Sequence, residues 1–340
     1  MAIFILIACK RETKNINIKA VSISKLVNFK DQTGFLQLSS GNFNYSIRKE
    51  QLPFKKIILL NASMAGYVTE LNAENMIAGI SSPEYIYSEK IRKLIQQEKI
   101  QNVGNEQKYD IEKIISLKPD AVFTNYVANF ENAYEVLKKN GIQVIFLDEF
   151  KEEEPLEKAA YIKVFGKLLG KEDLADAKFK EIEKNYNNLK KLAQTSHSKP
   201  KVLANEMYGD LWYLPGGKTS FANFIADANA EYILKDNSDT KAVTMSFEEV
   251  YAKSKNIHFW LNVGNHHSKK ELLSINPFYA QLDVFNEGKI YSVSGKEKQK
   301  ANDFFEQGIV RCDWVLKDYI KILHPELLPD DKITYLYELK

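Results

Sequence analysis

The chain has 340 residues, 44% of them hydrophobic and 27% charged, an ordinary globular balance with length enough for two domains, each with its own core. Its formal net charge is +2 with both signs interspersed, so no basic face announces a nucleic-acid partner. Its two cysteines, Cys9 and Cys312, can form at most one disulfide and make neither a disulfide framework nor a zinc knuckle; no internal stretch approaches the ~20 apolar residues of a membrane span.

The chain opens MAIFILIACK, an apolar run from Ala2 to Ala8 that stops at Cys9 and gives way to charged residues. The run matches a minimal signal-peptide core, with Ala8 as the small residue before a cut, but the basic start is missing. Leu6-Ile7-Ala8-Cys9 resembles a bacterial lipobox, whose cysteine is acylated. Residues 1–9 then read as the end of a lipoprotein signal that starts upstream, with Cys9 as a membrane anchor. A short strand with a buried Cys9 is the alternative. Residues 10–53 read as a leash followed by a β segment: KAVSISKLVNF, GFLQLS and NYSIRK alternate in polarity, and Gly34 and SSGN punctuate them as turns of a hairpin or two.

From Phe54 the texture changes. KKIILL, MIAGIS (76–81), DAVFTN (120–125) and QVIFLD (143–148) are short apolar runs of the kind found in buried parallel sheets. Helical patterns lie between them, and Gly141 is placed to cap one before the next strand. This alternation predicts an α/β lobe over residues 54–152. Pro155, after three acidic residues, suits a first helical turn. The pattern predicts a connecting helix over 153–171, stopped by Gly170, and a second helix from about Lys171 to Ala193.

Alternation resumes in a second lobe, residues 172–340. KVLANE (201–206), HFWLNV (258–263) and KIYSVS (289–294) read as strands, SFANFIADANA as a helix, and Asp303 to His324 as a final helix ended by Pro325. IEKIISLKPDAVF (111–123) and FEEVYAKSKNIHF (247–259) share a helical Glu, an apolar spacing, a polar break and a strand, which suggests two copies of one lobe.

Motifs for covalent chemistry are missing: there is no GxSxG, HExxH or CxxC, and WYLPGGK (212–218) is no phosphate loop. That segment is either a plain turn or a ligand-facing one where Gly216 permits close backbone approach; Tyr208, Trp212 and Tyr213 beside it add weight to a ligand surface. His266 and His267 are adjacent, point to opposite faces if extended, and lack the carboxylate spacing of a metal site, so no metal is assigned. Cys312 reads as a small hydrophobe in the last helix. Arg311 is either a surface arginine or a cation for an anionic ligand.

KKIILLNASMAGYVTELNAENMIAGIS, VGNEQKYDIEKIISLKPDAVF, WYLPGGKTSFANFIADANAEYI, the mid-chain helix and the lipobox together resemble a class III substrate-binding protein of ABC importers, the type that binds ferric siderophores, haem or cobalamin. The tail NDFFEQGIVRCDWVLKDYIKILHPELLP is similar to the version seen in Bacteroidetes-like bacteria. The resemblance implies two Rossmann-like lobes with parallel sheets joined by a single long rigid helix, and a ligand held between them. It implies an exported binding protein, not an enzyme, that hands an iron complex to an ABC permease and its ATPase; a cobalamin carrier is the alternative, with an enzyme or an adhesion lipoprotein on this fold behind it. No cofactor is expected, and the chain is expected to be a monomer at the cell envelope. Carried over by motif position, Glu112 and Glu248 would dock on the permease. Ligand-edge loops would bring Tyr87, Tyr126, Tyr208, Trp212, Gly216 and Asn262 to the ligand, with Arg311 as a counter-charge. The chain departs from the family pattern at Lys255-Asn256, where Pro-Asp is common, and at Cys312, where proline is; ligand identity stays open.

Overall fold

The structure is a computed structural model that describes residues 20–340; Cys9 and its lipobox lie outside the described residues. Two sheets carry the fold. In the first, Ile57–Leu59, Ile77–Ile80, Gln101–Asn102, Ala121–Thr124 and Gln143–Phe146 run parallel. In the second, Lys201–Ala204, Glu231–Tyr232, Phe259–Val263 and Lys289–Ser292 run parallel, with Tyr337–Glu338 antiparallel at one edge. The apolar runs read from the sequence are these strands: Ile57, Ile58, Leu59, Val202, Leu203 and Ala204 are fully buried, as strands covered on both faces must be.

Both sheets are wound alike. Each chain segment starts in a central strand, steps to one side, then returns to the other, so that Ile57–Leu59 lies beside Ala121–Thr124 and Lys201–Ala204 beside Phe259–Val263. The helix carrying Glu112, Ile111–Leu117, leads into the first returning strand, and the helix carrying Glu248, Phe247–Lys253, leads into the second. The weak sequence repeat is this shared winding. Where the winding reverses, loops leave the strand ends in opposite directions and open a crevice.

The helical link differs in detail from the expected single helix over 153–171. That stretch holds two helices, Pro155–Ala159 and Tyr161–Leu169, with Gly170 (φ 68°) ending the second. At the break, the Tyr67 hydroxyl donates to the Lys158 carbonyl (2.8 Å). The long continuous helix is Glu172–Ala193, 22 residues, and it packs on Tyr161–Leu169 and on Cys312–Leu323. In front of the first lobe, residues 20–48 make a four-stranded antiparallel meander, more than the hairpin or two expected. It is tied down where the Tyr45 hydroxyl accepts the Phe146 N–H (2.8 Å) and where the Glu152 carboxylate accepts the Ser24 hydroxyl (2.5 Å).

The final helix is also divided. Asp303–Phe305, Gln307–Val310 and Cys312–Leu323 replace the continuous helix expected from Asp303 to His324. The reason is contact with the other lobe. Glu306 accepts the backbone N–H groups of Tyr87 (2.6 Å) and Ser88 (3.1 Å), and the helix Ala65–Glu70 lies so close that a Cβ on Gly66 would stand 2.3 Å from the Glu306 carbonyl oxygen. The neighbour is backbone and cannot swing away. Gly66→Val is therefore expected to destabilise the protein by about 1–3 kcal/mol, the usual cost of overpacking, read as a lower urea midpoint; an unchanged midpoint would show that the two lobes separate freely at this seam.

Candidate functional site

On the first lobe, the two strands that flank the reversal end in asparagines. The Asn61 amide donates to the Asn125 side-chain oxygen. Asn125 in turn donates to Glu149 Oε2 (2.9 Å), and Ser63 donates to Glu149 Oε1 (3.2 Å). Burial raises the Glu149 carboxyl above its ordinary pKa, and these hydrogen bonds oppose the shift. Behind them lies a cavity of about 290 Å³. Ser82 lines it, is buried, holds φ 49° before Pro83, and has no partner for its hydroxyl among the described residues. A strained residue with an unmet polar group is typical of a binding surface.

A second cavity, about 300 Å³, lies between the lobes. Asn61, Ser63 and Tyr85 line it from one side, and Asn265, Lys300 and Phe305 from the other. It adjoins a third, about 250 Å³, through their shared residue Phe305. The third belongs mainly to the second lobe and is apolar: Phe221, Phe224, Phe304, Ile309 and Val315 line it. A wider recess of about 590 Å³ follows, edged by Tyr208, Tyr213 and Asn262. Asn262 stands at the second lobe's reversal with φ 57°, and its amide donates to the Tyr319 hydroxyl (2.8 Å). The cavities thus form a chain across the interlobe cleft, polar at one end and aromatic at the other. Exposed aromatics edge it, with Tyr208 83% and Phe305 53% exposed.

His266 and His267 each pair with a carboxylate, Glu206 at 2.7 Å and Glu297 at 2.6 Å. The Glu206 hydrogen bond raises the pKa of His266. No group of three metal-ligating side chains occurs among the described residues, and no helix there is long and apolar enough to cross a membrane.

Residues 57–296 match the Periplasmic binding protein family. The chain is a periplasmic binding protein. The family comprises extracytoplasmic solute-binding proteins of the ABC-transporter type, which are not enzymes, in keeping with the missing catalytic motifs. Two relatives come from Methanocaldococcus jannaschii. One is an uncharacterized lipoprotein, 23% identical over 293 residues, covering 84% of this chain and 68% of the relative; the other is an uncharacterized protein, 23% identical over 304 residues, covering 85% and 88%. Among solved structures, Helicobacter pylori CeuE with Ni(II) bound superposes with a TM-score of 0.66 at 18% identity, covering 87% of this chain and 91% of that one. The periplasmic heme binding protein HutB of Vibrio cholerae gives 0.62 at 16%, covering 79% and 99%. These likenesses establish the two-lobed fold.

In this binding protein the expected ligand residues part company. Tyr208 is exposed beside the wide recess, and Asn262 reaches two cavities. Tyr87 sits at the seam, its backbone bound by Glu306 and its ring 4.7 Å from Lys298 Nζ. Tyr126 packs its ring on Phe43 and Phe146 (5.2 Å each) near the first lobe's rim. Three assignments need correction. Trp212 is not a cleft residue: it is fully buried against Trp260 and Tyr279, and its indole N–H donates to the Ala204 carbonyl (2.9 Å). The segment is a strand, Leu211–Pro215, paired with Met207–Tyr208 and Ala242–Met245. Period-two alternation turns Trp212 inward and Tyr213 outward. Gly216 serves backbone packing, since a Cβ there would stand 2.4 Å from the Asp239 carbonyl oxygen. Arg311 is buried and already spent on Asp313, through two bonds of 2.9 and 2.7 Å, and on Glu181 at 3.2 Å. Glu112 and Glu248 are exposed and each is the second residue of its helix. The sequence reading placed Tyr213 beside a ligand surface but chose Trp212 over it, where strand alternation after Met207 was the available signal, and it did not single out Lys158 or Ser82.

Two outcomes follow from this geometry. Trp212→Ala should cost about 3–5 kcal/mol of stability, as removal of a core tryptophan does, whereas Tyr213→Ala should leave the urea midpoint nearly unchanged; the reverse order would return Trp212 to the cleft. Burial raises the Glu306 carboxyl from 4.5 to about 7, with Asp303 adding to the shift and the Tyr87 N–H opposing it. The folded state therefore holds this proton where the unfolded chain has lost it. The stability it contributes is complete below about pH 4.5 and is lost as pH rises to about 7, with a span on the order of 3 kcal/mol. Unfolding titrations of Glu306→Gln should lack this component; identical pH profiles for both proteins would contradict it.

Proposed function

We propose that the chain captures an iron complex, a ferric siderophore or haem, in the interlobe cleft and delivers it to an ABC permease. The observation that carries this reading is the chain of cavities at the strand ends of two like-wound sheets, edged by Tyr85, Tyr208, Tyr213 and Phe305. Flat aromatic faces suit a chelate's apolar periphery. The names of solved neighbours, a heme binding protein and a possible iron-binding protein, add support. Titrating the full chain with haemin, a ferric catecholate, a ferric hydroxamate and cyanocobalamin tests it by calorimetry. Saturable binding of an iron complex is expected; binding of cobalamin alone would replace the reading, and binding of none would end it.

In this reading Cys9 is a lipid anchor, supported by the Leu6–Cys9 stretch and by a relative named as a lipoprotein. Glu112 and Glu248 are the docking carboxylates, supported by their equivalent places in the repeat. The protein acts as a monomer. Exchanging both glutamates for alanine should leave ligand affinity unchanged and abolish uptake by cells that depend on the importer, because desolvated charge pairs at an interface are costly to break. Survival of uptake would remove the docking role from these positions.

A further inference from the structure

The antiparallel meander of residues 20–48 lies outside the family match, which spans 57–296. Its inner face belongs to the first lobe: Val27, Phe29, Leu36, Leu38 and Ile47 are buried in the apolar cluster that also holds Phe54, Ile57 and Leu59. The turn after its first strand grips the link between the lobes. Glu152 Oε1 accepts the Ser24 hydroxyl (2.5 Å), the Leu26 N–H (3.3 Å) and the Tyr161 hydroxyl (3.0 Å). Glu157 accepts the Lys25 N–H (3.1 Å), and Glu153 accepts the Lys25 ammonium (2.8 Å). Ser24 and Glu152 are buried. The second lobe holds the same short stretch: Asn223, in the helix Ser220–Asp227, donates to the Glu153 carbonyl (3.0 Å) and to Glu154 Oε1 (3.2 Å).

The two link helices take different sides. Pro155–Ala159 packs on Ser220–Asp227 and Cys312–Leu323 of the second lobe, whereas Tyr161–Leu169 packs on Ala65–Glu70 of the first. The meander therefore ties the first lobe to the half of the link that the second lobe holds. One crossing point permits rotation of the lobes about it; two attachments at separate points along the link block that rotation. We propose that the meander is a brace that fixes the angle between the lobes and so keeps the Glu306 seam closed. Its working contact is the buried Ser24–Glu152 bond, since the exposed Lys25–Glu153 pair is worth little. The proposal goes beyond the proposed function and holds whichever ligand the cleft takes.

Hydrogen–deuterium exchange of the full chain, read by mass spectrometry without ligand, tests it. The seam is read at Tyr87 and Ser88, whose amides Glu306 accepts, and the interior of the first lobe at the strand Ile77–Ile80. Glu152→Ala and, from the meander side, Ser24→Ala/Lys25→Ala are each expected to speed exchange at Tyr87 and Ser88 about three- to tenfold, the scale of one lost hydrogen bond, and to leave Ile77–Ile80 unchanged. Tyr161→Phe keeps the meander contact and removes only a bond within the link, so its seam should exchange as slowly as that of the unaltered protein. If Glu152→Ala does not fold, the Ser24→Ala/Lys25→Ala protein decides. Faster exchange confined to residues 20–30 and 149–161 would show a purely local contact and overturn the proposal. Faster exchange throughout the chain, or equal loosening of the seam by Tyr161→Phe, would overturn it too.

Discussion

One buried carboxylate anchors the seam between the two lobes of this molecule. Glu306, on the second lobe, accepts two adjacent backbone N–H groups from the first, at Tyr87 and Ser88. Backbone donors are fixed by their own chain, so this contact sets spacing as well as attraction. Its neighbours reinforce it: Gln307 bonds to Glu70, and Gly66 admits the Glu306 carbonyl at a distance no side chain would allow. The final helix is divided at this seam, and Glu306 also lines the central cavity. Burying an acid there has an electrostatic cost, which makes the contact between the lobes sensitive to proton concentration near neutrality.

The cleft that the seam spans is chemically lopsided. The first lobe offers asparagine and serine groups tied to Glu149. The second offers phenylalanines and tyrosines, with Lys158 of the link among the lining residues. A ligand bridging both would satisfy amide and hydroxyl groups at one end and bury apolar surface at the other. The link is built for stiffness: Glu172–Ala193 packs along two other helices, and a packed helix bends less readily than a pair of loop hinges.

Much of the architecture was legible as local pattern. Short apolar runs bounded by turns identified the central strands of both sheets, and the Glu112 and Glu248 segments disclosed the repeat, because strand–helix winding leaves a periodic signature. The site was less legible. A tryptophan near two glycines looks like a ligand platform until strand pairing is known; the hydrogen-bonded partners of Leu211–Pro215 then decide which alternate residues face the core. Arg311 looked like a free cation because the sequence does not show that the bend between its two helices turns it onto Asp313, and because Glu181 is far away in the chain.

By itself the sequence determined the α/β class, the two lobes, the helical link between them and the family resemblance, since each rests on hydrophobic spacing or on contiguous motifs. Only the tertiary structure decided which charged and aromatic groups remain available. Arg311 is neutralised by Asp313 two residues on, and by Glu181 from a different helix; Lys158 lines a cavity whose wall is assembled from four separate segments. Availability for a ligand is what remains after a side chain's own partners are satisfied, and packing decides which partners, near or far along the chain, a side chain meets.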